Sequence, residues 1–243
     1  MIDIHPPEHT PHSWRDFFIH IATIVLGLLI AIGLEQTVEA IHHGHERHQL
    51  RDDLRTEAEA RVSLLKANVQ DEAANTRWLR DCIHVAVNAK PSDGYVTFTT
   101  PPAPATLSGA KPENSVWEAA KASGTVALLT PPEIEAWSRV AFQEGRAERD
   151  AQSVEDAYVA LQGIVEHFDV SPDTLFNPHT PVRLTAAQRD ELTRSLGLLI
   201  AKEETFNFAD AAYEGATNAV LHGALTTEDM EPYYEKAASS IPH

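Results

Sequence analysis

The first regularity along the chain is a failure of apolar and polar residues to alternate. Phe17 to Leu34 is an eighteen-residue run with no formal charge and one histidine, His20. As a helix rising about 1.5 Å per residue it spans roughly 27 Å, against ~30 Å for a bilayer's hydrocarbon core. Val38 and Ile41 extend it by a turn or two with Glu35 and Glu39 at the interface, and Trp14 stands where an interfacial aromatic belongs. The pattern predicts a 1–16 N-terminal tail and a transmembrane helix over 17–41. Two other readings fit part of it. A cleaved signal peptide would use Ala31-Ile32-Gly33 as its small-residue site, but one Arg against three acids precedes the run and the core is long. A core helix of a soluble protein normally carries a polar stripe, which this run lacks.

Beyond the run a helical period sets in. Leu50, Leu54, Ala58, Val62, Leu65, Val69, Ala73, Leu79, Ile83 and Ala86 recur in steps that average near a helical turn, which predicts a membrane-proximal amphipathic helix over 42–89, continuous with the anchor. Gly44 is its weak point and a candidate hinge, because glycine lowers helix stability by about 1 kcal/mol. Residues 90–112 break the period with KPSDGY, YVTFTT and PPAPATLSGAKP, a Pro-rich loop with room for one extended edge at most. Three capping boxes follow: Ser115 with Glu118, Thr130 with Glu133, and Thr185 with Gln188. Each predicts a helix start. The second helix is expected to bury Ile134, Trp137, Ala141, Val154, Leu161, Val165 and Phe168, and its polar middle is expected to bend at Gly145 or to project from the body. The third is expected to bury Leu192, Leu196, Leu199, Phe206, Tyr213 and Val220. The predicted fold class is all-α: an N-terminal transmembrane helix continuing into an antiparallel helical bundle, with 113–243 packing against 42–89.

Charge narrows the partners. With 19 Lys and Arg against 36 Asp and Glu, the formal net charge is −17. Phosphate recognition needs clustered cations, so nucleic acid is excluded as the expected partner. The single cysteine, Cys82, rules out an intramolecular disulfide and is expected to be a buried thiol.

Candidate chemistry is thin. Thr23, Gly27 and Ala31 lie four apart on one face of the apolar helix, a spacing that lets two helices approach closely and predicts a homo-oligomer. His20 is a candidate cofactor ligand because polar residues inside a membrane are expensive. The exit from the run, IHHGHERH, resembles a zincin helix but has one residue between Glu46 and His48 where that motif needs two. His42, His45, His48 and Asp52 remain a candidate metal set, with His43 beside them; an interfacial histidine cluster on a helix leaving the membrane is the simpler account. His5, His9 and His12 share the same ambiguity. Glu133 with Glu135, and Glu203 with Glu204, read as charged helix faces. No Gly-x-Gly-x-x-Gly, phosphate-binding or nucleophile-elbow motif occurs, and nothing supports an enzymatic assignment. The reading is a membrane-anchored, self-associating interaction or accessory protein whose partners are the bilayer, a second copy and a further protein. No cofactor is predicted. The alternative is a divalent-metal or haem protein using the histidines.

The segment WRDFFIHIATIVLGLLIAIGLEQTVE running into HHGHERHQLRDDLRTE, reinforced by NSVWEAAKASGTVALL and TPPEIEAW, resembles a widespread group of uncharacterised bacterial single-pass membrane proteins. The likeness covers about half the chain. It implies an anchor followed by a helical domain, with no assigned activity. It also implies an N-in anchor in the inner membrane with a periplasmic domain, although only Arg15 precedes the span here, where many of the group carry more basic residues.

Overall fold

The computed structural model describes residues 14–104, 114–175 and 177–241. His5, His9 and His12, and residues 105–112 of the expected Pro-rich loop, lie outside them. The chain falls into two units, Met1–Gln49 and Leu50–His243. Its elements are α1 (Trp14–Asn88), β1 (Pro91–Ser92), β2 (Tyr95–Phe98), α2 (Ser115–Ser123), a 3-10 turn (Thr125–Leu128), α3 (Pro131–His167), α4 (Pro172–Leu175), β3 (Val182–Thr185), α5 (Ala186–Leu221) and α6 (Thr227–Ser239). The protein is mostly helical, as the periodicity predicts. Helix α1 begins at Trp14, inside the expected tail, and passes Gly44 without interruption.

In the second unit the bundle is built on a heptad. On α1, positions 54, 58, 61, 65, 68, 72, 75, 79, 82 and 86 alternate steps of four and three, and every one is buried. That spacing keeps one seam of a helix facing its neighbours along its length. On α5 the buried seam includes Leu192, Leu196, Leu199, Glu203, Asn207, Asp210, Glu214 and Thr217. Helix α3 buries Trp137, Val140, Ala147, Leu161 and Val165, and it is one unbroken helix through Gly145.

Two apolar clusters occupy the ends of this bundle. One joins Leu54, Leu65, Trp117, Trp137, Val140 and Tyr213. The other joins Leu79, Cys82, Leu161, Val165, Leu192 and Leu196 to the sheet residues Val96 and Leu184. Burying each large apolar side chain contributes about 1.5–3 kcal/mol. The clusters also fix direction. Residues 50–65 of α1 meet the start of α3 and the end of α5, while residues 78–86 meet the end of α3 and the start of α5. Helices α1 and α3 therefore run parallel and α5 runs antiparallel to both.

The YVTF run forms more than the single edge expected. Asp93 (φ 54°) and Gly94 (φ 80°) make a two-residue turn with both central residues left-handed, the turn that matches strand twist, and it pairs Ser92 with Tyr95. β2 then pairs antiparallel with β3, Val96 opposite Leu184 and Phe98 opposite Val182. All four point into the core. On the outer face the Arg183 guanidinium lies 4.0 Å from the centre of the Tyr95 ring. The indole N–H of Trp78 donates to Pro101 O at 2.9 Å, and Thr100 Oγ1 donates to Leu175 O at 2.7 Å, which ties the following segment down.

Two of the expected capping boxes form. Glu133 accepts from the Thr130 N–H at 2.8 Å, and Gln188 donates its N–H to Thr185 Oγ1 at 3.3 Å. The first does not form as expected. The N-cap of α2 is Asn114, and the backbone N–H and hydroxyl of Ser115 donate to Glu57 Oε1 of α1 at 2.7 and 2.8 Å. A carboxylate from another helix replaces the local cap because Asn114 is occupied elsewhere. A further box, Thr226 with Asp229, starts α6. Helix α6 lies so close to α5 that a Cβ on Gly215 would meet Tyr233 O and Tyr234 Cα at 3.1 Å. Glycine there is what permits the approach.

Candidate functional site

Thr23, Gly27 and Ala31 are exposed on α1, and no atom lies within 4 Å of where a Gly27 Cβ would stand. Thr23 Oγ1 donates to Ile19 O at 2.8 Å, so its hydroxyl is satisfied within its own helix. The apolar side chains from Phe17 to Leu34 are exposed throughout, Ile19 at 63 % and Leu34 at 68 %. His20, His42, His43, His45, His48 and Asp52 are exposed as well. His42 Nε2 lies 3.1 Å from Glu46 Oε1, one turn on. Among the described residues no three His, Cys, Asp or Glu side chains converge to hold a metal ion within one chain.

The unexpected chemistry is inside the bundle. Between the two apolar clusters the heptad seam turns polar: α1 supplies Asn68, Glu72, Asn75 and Thr76, and α5 supplies Glu203, Asn207 and Asp210. All are at least nine-tenths buried. Asn68 Nδ2 donates to Asp210 Oδ2 at 3.4 Å. No donor reaches either carboxyl oxygen of Glu72, and its carboxyl faces that of Asp210. Two carboxylates have no proton donor to share, so the pair closes only when one is protonated. Burial pushes both acids up, and for Glu72 the nearby charges of Asp210, Glu203 and Asp71 add to it. Burial alone lifts Glu203 to about 7. The layer thus retains a proton at neutral pH.

A second polar knot lies among the leucines at the other end. Arg61 is buried, with NH2 3.0 Å from Asn114 Oδ1 and 3.3 Å from Glu57 Oε2. Asn114 Nδ2 passes the chain on to Glu144 Oε2 at 2.8 Å. The guanidinium lies 5.5 Å from the centre of the Tyr213 ring. One cation thereby connects α1, the start of α2, α3 and α5. At its edge, Arg51 grips Glu133 bidentately at 2.8 and 2.9 Å. That grip, ahead of the bonds from Thr130, holds the Glu133 carboxyl down to about 2.

Reading Glu203 and Glu204 as one charged face is corrected by half. Glu204 is exposed and pairs with Arg80, while Glu203 is buried. Neighbouring helix positions differ by 100°, and only Glu203 falls on the seam running from Leu196 and Leu199 to Asp210. Likewise Glu135 pairs with Arg139 on the surface, while Glu133 joins two helices. Cys82 is buried as expected, its thiol pushed up to about 12 by burial first.

No protein-family model matches the chain, and no curated protein or solved structure matches it. The resemblance to single-pass membrane proteins therefore rests on a long apolar N-terminal helix followed by a helical domain, with no family identified.

Proposed function

We propose that this chain is a single-pass membrane protein of the bacterial inner membrane. It self-associates through Thr23, Gly27 and Ala31 and presents its acidic bundle as an interaction or accessory module. The observation that carries the reading is the exposure of the uncharged run from Phe17 to Leu34, in a protein whose other long helices, α3 and α5, each bury apolar side chains in the bundle. In water such a surface is an aggregation hazard, whereas in lipid it is the solvated state. The periplasmic side is assigned to the bundle on the resemblance alone.

Anchoring is tested on the full chain in native membranes. The protein is expected to stay with the bilayer through alkaline carbonate extraction. Two arginines at the middle of the run, Leu26→Arg with Leu29→Arg, each cost about 2.5–3.5 kcal/mol at a helix centre and are expected to release it. Release of the unaltered chain by carbonate defeats the assignment. Self-association is read by crosslinking in the same membranes. Gly27→Leu fills the open side of the stripe and is expected to abolish most of the dimer; an unchanged dimer yield rejects that interface.

A further inference from the structure

The protein has six lysines in all, and two of them, Lys66 on α1 and Lys236 on α6, line the same cleft. This cleft, of about 450 Å3, is walled by α1, α5 and α6. Its volume lies within the ordinary range for small-molecule sites. Its polar lining also includes Glu214, Asn218, His222 and Tyr233, over a floor that includes Val69 and Ala237.

The electrostatics of the cleft run against those of the chain. The two ammonium groups face one carboxylate, so the cleft is net positive by one charge before His222 is counted, on a protein of net charge −17. Glu214 does not neutralise them closely. Lys66 Nζ stands 4.0 Å from Glu214 Oε1, beyond hydrogen-bond distance, and that oxygen accepts from Asn218 Nδ2 at 3.2 Å instead. Burial pushes the Glu214 carboxyl up, and Lys66 and Lys236 only partly offset it. His222 is oriented rather than loose. Its Nδ1 lies 2.7 Å from Asn218 O, and since a carbonyl only accepts, Nδ1 carries the proton and Nε2 is left for another partner. The ring packs against Tyr233 at 5.5 Å. Gly215, one residue from Glu214, sets how closely α6 brings Tyr233 and Lys236 to α5.

We propose that this cleft binds a small organic anion whose carboxylate or phosphate group is held between Lys66 and Lys236, with His222 and Tyr233 contacting its body. Ammonium groups suit this as mobile point charges, and an anion that displaces the loose Lys66–Glu214 contact gains two donors for the loss of a weak one. The site goes beyond the anchoring role and is independent of it.

Isothermal titration of the full-length protein in an uncharged detergent, at constant ionic strength, tests it with inorganic phosphate, succinate and citrate as probes. At least one is expected to bind saturably at one site per chain. Saturation by succinate or citrate but not phosphate assigns the site to carboxylates, and the reverse assigns it to phosphate. Lys66→Met and Lys236→Met are each expected to weaken binding about tenfold or more, the usual consequence of losing a charged hydrogen-bond donor. Lys121→Met, on α2 and outside the cleft, is expected to bind like the unaltered protein. Both cleft lysines are exposed, so neither substitution disturbs the core, and unchanged tryptophan fluorescence verifies this. No saturable heat with any of the three anions, or equal affinity in all three variants, overturns the proposal.

Discussion

Arg61→Ala is expected to lower the folding stability of the bundle by about 3–5 kcal/mol, the range for removing one partner from a buried ion pair. The size follows from what is left behind. Glu57 loses the cation on its Oε2 side, Asn114 loses the donor to its Oδ1, and Glu144 loses the nearby positive charge. Asn114 is buried, so its freed Oδ1 cannot turn to water without opening the cluster that contains Trp117, Trp137 and Tyr213, while the half-buried Glu57 and Glu144 recover part of their solvation. Arg61→Lys keeps the charge but not the planar fork and is expected to recover only part of the loss. Arg55→Ala is the control. Its bond to Glu59 lies on the surface, and such pairs contribute little. Denaturant unfolding followed by tryptophan fluorescence reads the comparison, because Trp78, Trp117 and Trp137 are all buried. An Arg61→Ala midpoint close to that of Arg55→Ala would contradict the arrangement.

The bundle is also expected to become less stable as pH rises from about 5 through 8. Glu72, Asp210 and Glu203 all have folded-state affinities for protons above those of exposed carboxyls. Their contribution is therefore complete below the unfolded-state value near 4–4.5 and is lost as pH climbs toward the folded-state value. Each proton that the folded state keeps and the unfolded state releases removes about 1.4 kcal/mol per pH unit. Glu203 ceases to contribute to that slope above about 7, and the Glu72–Asp210 proton carries it further. Glu133, held down to about 2 by Arg51, acts oppositely and only below the usual carboxylate range. Glu72→Gln supplies a permanent amide donor where a proton is otherwise required. It is expected to flatten the profile and to raise stability at pH 8 by about 1–3 kcal/mol, the cost of an unsatisfied buried group. Unfolding curves at several pH values decide it; a profile that is flat in the unaltered protein would show that the acids are not buried together.

Much of this fold is legible from spacing alone. The uncharged run, the long amphipathic helix and the starts at Thr130 and Thr185 all emerge from local rules, because each depends on neighbours within one turn. The polar layer escaped for an instructive reason. Tracing only apolar residues makes Asn68, Glu72 and Asn75 look like gaps, whereas the four-three alternation from Leu54 to Ala86 runs through them without a change of step. The period marks what is inside, even where the residue type denies it. Asp93-Gly94 likewise carried a hairpin signal that the surrounding prolines obscured. Two features had no local signal at all. The pairing of β2 with β3 joins residues 84 to 90 apart, and the capping of α2 by Glu57 uses a carboxylate 58 residues upstream. Sequence rules that work within a turn cannot find partners at that distance.

The parallel course of α1 and α3 has a consequence for how the molecule is made. Helices α3, α5 and α6 follow one another in the chain, with α4 and β3 between the first two, and can assemble once α6 has left the ribosome. The α1 seam cannot. Its bond from Asn68 reaches Asp210, 142 residues later, and the sheet likewise waits for β3. Contacts of such separation close slowly, because the intervening chain must first be ordered. During synthesis the earliest segment to emerge is thus the last to be covered, and its leucines stand open until α5 arrives. Docking of α1 onto a preformed α3–α5 pair is the step most exposed to misassembly, and it is also the step that brings the carboxyls of Glu72 and Asp210 together.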